Sequence, residues 1–167
     1  ATVWFERCHI HSKKNSYVTA ASTVADHDYG YVFNRCRLTA AEGIERVFLG
    51  RPWRPYAATL FMRCELGSHI LPAGWHNWDN PANEQTARYA EYRNTGPGAN
   101  PGARVPWSRQ LGRREARRYT LANVFARSDG GFLSDSISDP DPFPVNKYLF
   151  QLHLFSPGEE YSIFHAV

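Results

Sequence analysis

Apolar residues recur along this chain in short groups rather than at helical spacing. Val3-Trp4-Phe5, Tyr31-Val32-Phe33 and Thr59-Leu60-Phe61 are β-branched or aromatic runs, the kind that fit a half-buried pleated surface. No 3.6-residue apolar pattern persists across them, so helical repeats fit poorly. Turn-rich pieces such as Asp26-His27-Asp28-Tyr29-Gly30 and Gly67-Ser68-His69 separate the runs. The runs also repeat: Phe5-Glu6-Arg7-Cys8-His9-Ile10 is followed by Phe33-Asn34-Arg35-Cys36-Arg37-Leu38 and Phe61-Met62-Arg63-Cys64-Glu65-Leu66, each 28 residues after the last. A weaker fourth copy falls 28 residues further on at Tyr89-Ala90-Glu91-Tyr92. A fixed period of this size marks a solenoid. With strand-type residues, 28 suits one turn of a right-handed parallel β-helix with three short strands per coil. The expected fold class is therefore all-β, with the Phe and Cys positions stacked as interior ladders.

The texture changes after the repeats. Asn94-Thr95-Gly96-Pro97-Gly98-Ala99-Asn100-Pro101-Gly102 reads as an exposed loop. Arg113-Arg114-Glu115-Ala116-Arg117-Arg118 suits a short C-terminal helix with a solvated face. Residues 1–130 are expected to form the coils and 131–167 an unmatched, irregular tail. Asp139-Pro140-Asp141-Pro142-Phe143-Pro144 forbids regular structure there, although Tyr148–Phe155 could form a strand. Five acidic residues against Lys147 give that tail a charge of −4, which leaves +7 on the part before it.

At 167 residues, with 43% apolar and 21% charged residues, the chain is long enough for a core and is neither disordered nor collagen-like. No apolar run reaches the roughly 20 residues of a membrane span. A net charge of +3 is too small to argue for nucleic acid, and a monomer is expected. The chain begins at Ala1 without a basic-plus-apolar leader, so a secretion signal is absent or already removed. Three cysteines cannot close a disulfide set. Their spacing, with no His-rich loop beside it, suits small buried hydrophobes better than a metal site.

The most specific string is Leu49-Gly50-Arg51-Pro52-Trp53-Arg54-Pro55-Tyr56. An Arg fixed between Gly and Pro makes sense if its guanidinium holds a carboxylate at two points. On a strand, Trp53 would face the same way as Arg51. Charge for an acid and a flat ring for a pyranose face suit an acidic sugar. A structural Arg–Asp pair beside a packed Trp explains the same residues equally well. Asp26 and Asp28 read as turn residues, and His9 and His11 have no nucleophile motif beside them.

Gly50-Arg51-Pro52-Trp53 resembles the LGRPW signature of pectin methylesterases (pectinesterases, carbohydrate esterase family 8). Gly30-Tyr31-Val32-Phe33, Pro72-Ala73-Gly74-Trp75, Tyr89–Ala99 and Arg104-Val105-Pro106-Trp107-Ser108 resemble further family segments in the family's order. The resemblance implies a right-handed parallel β-helix and hydrolysis of the methyl esters of homogalacturonan, with no metal or organic cofactor. It also implies action outside the cell or in the periplasm. An Asp attacks the ester carbonyl, a second Asp serves as acid and then base, and Gln side chains hold the oxyanion. By position, Arg51 would orient the nucleophile, and Trp53 and Trp75 would bind substrate. The family's two Asp segments, YQDTL-like and GxVDFIFG-like, precede the strand that matches Val3–Cys8, and neither occurs in this sequence. The expectation is therefore a solenoid incomplete at its N-terminus, with little activity by itself. The alternative is a non-catalytic pectate-binding module.

Overall fold

A computed structural model describes residues 1–126; the tail 131–167 and the strand expected within it lie outside the described residues. The strand-type runs form three strands per coil. The first coil holds β1 (Val3–Glu6), β2 (His9–Ser12) and β3 (Tyr17–Ala21). The second holds β4 (Tyr31–Asn34), β5 (Arg37–Ala40) and β6 (Phe48–Pro52). The third holds β7 (Ala58–Met62) and β8 (Glu65–Leu66), and single bridges from Val47 to Ile70 and from Gly50 to Trp75 supply its last side. A helical turn, α1 (Ala82–Thr86), leads to β9 (Arg88–Tyr92) and a final rung, β10 (Arg109–Gln110). Every pairing is parallel, giving sheets ordered β1-β4-β7-β9-β10, β2-β5-β8 and β3-β6. This is the parallel β-solenoid expected from the repeat.

The 28-residue period is the register itself. Phe5 pairs with Phe33 and Phe33 with Phe61, and their rings stack at 4.4 and 4.3 Å, within 6° of parallel. Aromatic pairs of this kind add about 0.5–1.5 kcal/mol each beyond the area they bury. Ile10, Leu38 and Leu66 form the matching column on the second sheet. Cys36 and Cys64 are buried, and each thiol donates to a carbonyl of the preceding coil, Phe5 O at 3.5 Å and Phe33 O at 3.4 Å. Burial pushes the Cys8 thiol up to about 11, and hydrogen bonding with the Cys64 thiol, followed by burial, raises Cys36, so both thiols stay protonated and packed.

The largest sheet is buried on both faces, which explains why its strands are apolar without alternation. Its outer side (Val32, Leu60, Met62, Ala90, Tyr92) is covered by Ala116 of α2 (Arg113–Ala116) and Val124 of α3 (Leu121–Val124). The helix expected over Arg113–Arg118 is the short α2, and α3 follows it as a further turn. Glu115 reaches back to accept from the Gly112 N–H at 2.9 Å, and Thr120 Oγ1 caps α3 through the Asn123 N–H at 3.1 Å.

Between the first and second strands each coil turns a corner on one left-handed residue. These are Arg7, Arg35, Arg63 and Arg93, with φ between 50° and 56°. The backbone ladder runs unbroken through them, from Arg7 N to Asn34 O, Arg35 N to Met62 O and Arg63 N to Tyr92 O, at 2.7–3.0 Å. A residue with a Cβ costs about 1–2 kcal/mol in this conformation, which Gly or Asn enters more readily.

The fourth coil departs from the 28-residue reading. Phe61 pairs with Glu91, not Tyr89, and Asn94 follows Arg93 where Cys64 follows Arg63, its Oδ1 accepting from the Cys64 N–H at 2.9 Å. This coil reaches its strand through the extra turn α1, and the step lengthens from 28 to 30 residues. The next rung of the Phe column is therefore a carboxylate, only 3% exposed. Arg104 answers it with Nε to Oε1 at 2.6 Å and Nη2 to Oε2 at 3.1 Å. The same guanidinium donates to Leu71 O, Pro72 O and Gly98 O. Its stem lies against Gly74, at φ 72°, where a Cβ would meet the Arg104 side chain. Breaking a buried pair of this kind strands a charge. Arg104→Met is expected to lower unfolding free energy by about 3–5 kcal/mol in urea titrations, and adding Glu91→Leu should recover much of that loss.

Candidate functional site

Arg51 sits near the end of β6, where Pro52 closes the strand. Gly50 just before it has no room for a side chain, since a Cβ there would run into Thr19 Oγ1 and approach the Trp75 ring. The chain leaves the sheet at Trp53, whose N–H is held by Ala21 O at 2.9 Å. Arg51 and Trp53 do share one side, as the strand alternation required: the guanidinium carbon lies 5.0 Å from the Trp53 ring centre.

Two further aromatic rings complete this face, and neither was singled out from the sequence. Trp78 lies 3.5 Å from the Arg51 guanidinium carbon, and Tyr17 lies 5.5 Å away. Trp78 is placed by a reversal in which both it and Asp79 have positive φ, 60° and 54°. Asn77 organises that reversal. Its Oδ1 accepts from the Asp79 N–H at 2.9 Å, its Nδ2 donates to Glu84 Oε1 at 2.7 Å, and its carbonyl accepts from Asn83 of α1 at 2.9 Å. Tyr17 stacks on Phe48 at 5.5 Å, and its hydroxyl meets His76 Nδ1 at 3.1 Å. Burial raises the Tyr17 phenol pKa against the opposing pull of Arg51, so it remains a neutral hydroxyl. Cation–π contacts hold a guanidinium in one pose at about 0.5–2 kcal/mol each. Trp53 and Trp78 are 43% and 45% exposed, leaving ring faces open to a ligand.

Trp75 corrects the expectation of a second groove wall on this face. It is 1% exposed, stacks on Tyr89 at 4.3 Å and sits within the core cluster. The side-chain-free Gly50 beside it in the bridge leaves space that the indole fills. The second indole beside Arg51, that of Trp78, comes from the same segment, three residues later.

Other candidates form no reactive group. His9 Nε2 and His11 Nδ1 both meet the Thr39 hydroxyl, at 2.7 and 2.8 Å. Among the described residues, no group of three His, Cys, Asp or Glu is arranged to hold a metal ion. Nor is any helix among them long and apolar enough to cross a membrane. A cavity of about 160 Å³ lies elsewhere, between the starts of β4, β7 and β9 and the Leu111–Tyr119 segment; neither Arg51 nor Trp53 lines it.

The family model described as Pectinesterase matches residues 1–129. The chain belongs to the pectinesterase family. It is 40% identical over 120 residues to pectinesterase 31 of Arabidopsis thaliana, covering 71% of this chain and 38% of that protein. In structure it is similar to the pectin methylesterase from carrot (TM-score 0.69, 31% identity, 75% of this chain and 44% of that one). It is also similar to a pectin methylesterase solved in complex with a hexasaccharide (TM-score 0.61, 25% identity, 77% and 46% covered). The chain thus spans less than half the length of these relatives. The pectinesterase motifs near the C-terminal end of the match have a structural purpose here, because Glu91, Asn94, Gly98 and Arg104 all belong to the buried ion-pair network described above.

One group on this pectinesterase solenoid links pH to stability. The His69 ring is 4% exposed, and burial together with the nearby His11 lowers its pKa from the ordinary 6.5. The fold favours the neutral ring, so stability is complete above pH 6.5 and is lost as pH falls through the lower folded value. Urea midpoints are expected to drop on acidification below pH 6.5, with a shallower drop in His69→Gln.

Proposed function

We propose that this chain is the part of a pectin methylesterase that carries the Arg51 face, and that the whole protein hydrolyses methyl esters of homogalacturonan to pectate and methanol. The observation that carries this reading is Arg51 held among Trp53, Trp78 and Tyr17 at the end of a β-solenoid strand, within a family match over residues 1–129. In this mechanism an Asp carboxylate attacks the ester carbonyl and expels methanol, and water then cleaves the acyl-enzyme. A guanidinium beside that Asp keeps it ionised and aimed, because an opposite charge nearby favours the charged form. Arg51 supplies this role, and its stacked pose means that little side-chain freedom is lost in doing so. Trp53 and Trp78 offer ring faces to the sugar.

The two Asp segments of the mechanism are not in these 167 residues, so the chain by itself is expected to release little methanol. The polymer lies in the cell wall, which places the reaction outside the cell; chemistry of this type needs no metal or organic cofactor. In a protein carrying both Asp segments ahead of this chain, Arg51→Ala is expected to lower methanol release from highly methylated pectin by about a hundredfold or more. Release that survives the substitution would remove the orienting role. On the 167-residue chain the readout is binding: methyl-esterified oligogalacturonides should bind more weakly to Trp53→Ala.

A further inference from the structure

We propose that the corner formed by Arg7, Arg35, Arg63 and Arg93 is a docking stripe for de-esterified homogalacturonan, the product of the activity proposed above, on which this inference rests. The observation behind it is a repeated and locally unfavourable choice. All four coils turn this corner in the left-handed region, which Gly or Asn enters most easily, and all four use Arg. All four side chains are exposed.

Local contacts do not account for four guanidinium groups. Arg7 and Arg35 reach only Glu6, at 3.9 and 3.7 Å, in exposed pairs of the kind that contribute little. Arg63 donates to Asn34 Oδ1 at 3.1 Å, and Arg63 and Arg93 lie 5.5 and 5.4 Å from the Tyr92 ring. Arg37, one strand away, is already engaged with Glu65 at 3.5 Å. Glu6 is the one carboxylate that the described contacts place among these four cations. Parallel stacking holds them one above another at about 4.8 Å per coil, in mutual repulsion.

A straight row of cations along the solenoid axis complements a stiff linear polyanion with one carboxylate per sugar unit. Pectate has that character. Fully methyl-esterified pectin is uncharged and lacks it. The stripe lies where the β1-β4-β7-β9-β10 sheet meets the β2-β5-β8 sheet, whereas Arg51 is on the third side, β3-β6. Product held on the stripe therefore need not leave the Arg51 face blocked, and the protein stays on stretches already de-esterified.

The test is binding of oligogalacturonate to the full 167-residue chain at low ionic strength, compared with the double variant Arg35→Asn/Arg63→Asn. Asn suits the left-handed corner, so the variant should melt at the same or a higher temperature. Its affinity should fall by roughly tenfold, and wild-type binding should weaken as salt is added. Trp53→Ala should leave this component intact. The proposal is overturned if the double variant binds as tightly as wild type, if wild-type binding is indifferent to added salt, or if Trp53→Ala abolishes the binding. None of these readouts uses turnover, so failure of the esterase reading, seen as methanol release indifferent to Arg51, is a separate result.

Discussion

A parallel solenoid has no hairpins to set its register, so its side-chain columns must do so. Here the column of Phe5, Phe33 and Phe61 carries that constraint. A slip of one residue would turn the aromatic rungs outward and bring Glu6, Asn34 and Met62 into the core. The Ile10-Leu38-Leu66 column, the thiol-to-carbonyl contacts and the left-handed corner all repeat in step with the Phe rungs. The placement of Arg51 inherits this. Its strand is paired in register with β3, and Tyr17 meets His76 across 59 residues of sequence only because the coils are stacked true.

A stack must also stop. The Phe column runs into Glu91, and a carboxylate in that position is tolerable only because Arg104 and Asn94 satisfy it. The Arg104 guanidinium also gathers carbonyls from the third coil and from the Gly-rich loop. A polar network therefore does at this end what another aromatic rung does between the coils below. It also fixes the chain direction into β10 and the two C-terminal turns that cover the largest sheet.

The columns were legible in the sequence because identical positions in successive coils face identical surroundings, which favours similar residues at a constant interval. Arg51 and Trp53 were singled out because Gly-Arg-Pro-Trp is a poor string for a free surface, and their roles came from its resemblance to the family signature. The rest was hidden where that regularity breaks. The 30-residue step follows from α1, whose five residues show no strong helical pattern of their own. The sequence pointed to Trp75 and passed over Trp78. What separates them is a reversal with two positive-φ residues, set by Asn77 contacts that reach up to seven residues along the chain. Tyr17 carried no signal at all, because its part depends on a coil far away in sequence.

The corner residues show local propensity and repeat logic in open conflict. Stacking requires a left-handed turn at the same point of every coil, and backbone sterics alone would place Gly or Asn there. Selection for stability would converge on those residues independently in each coil. Four arginines instead retain strain and add like-charge repulsion, and both terms act against folding. The same strain in every coil requires a cause that acts along the whole edge. No one contact within the protein supplies it, because Arg7 and Arg35 reach Glu6 whereas Arg63 and Arg93 lie against Tyr92. A ligand that spans the coils does act along the whole edge.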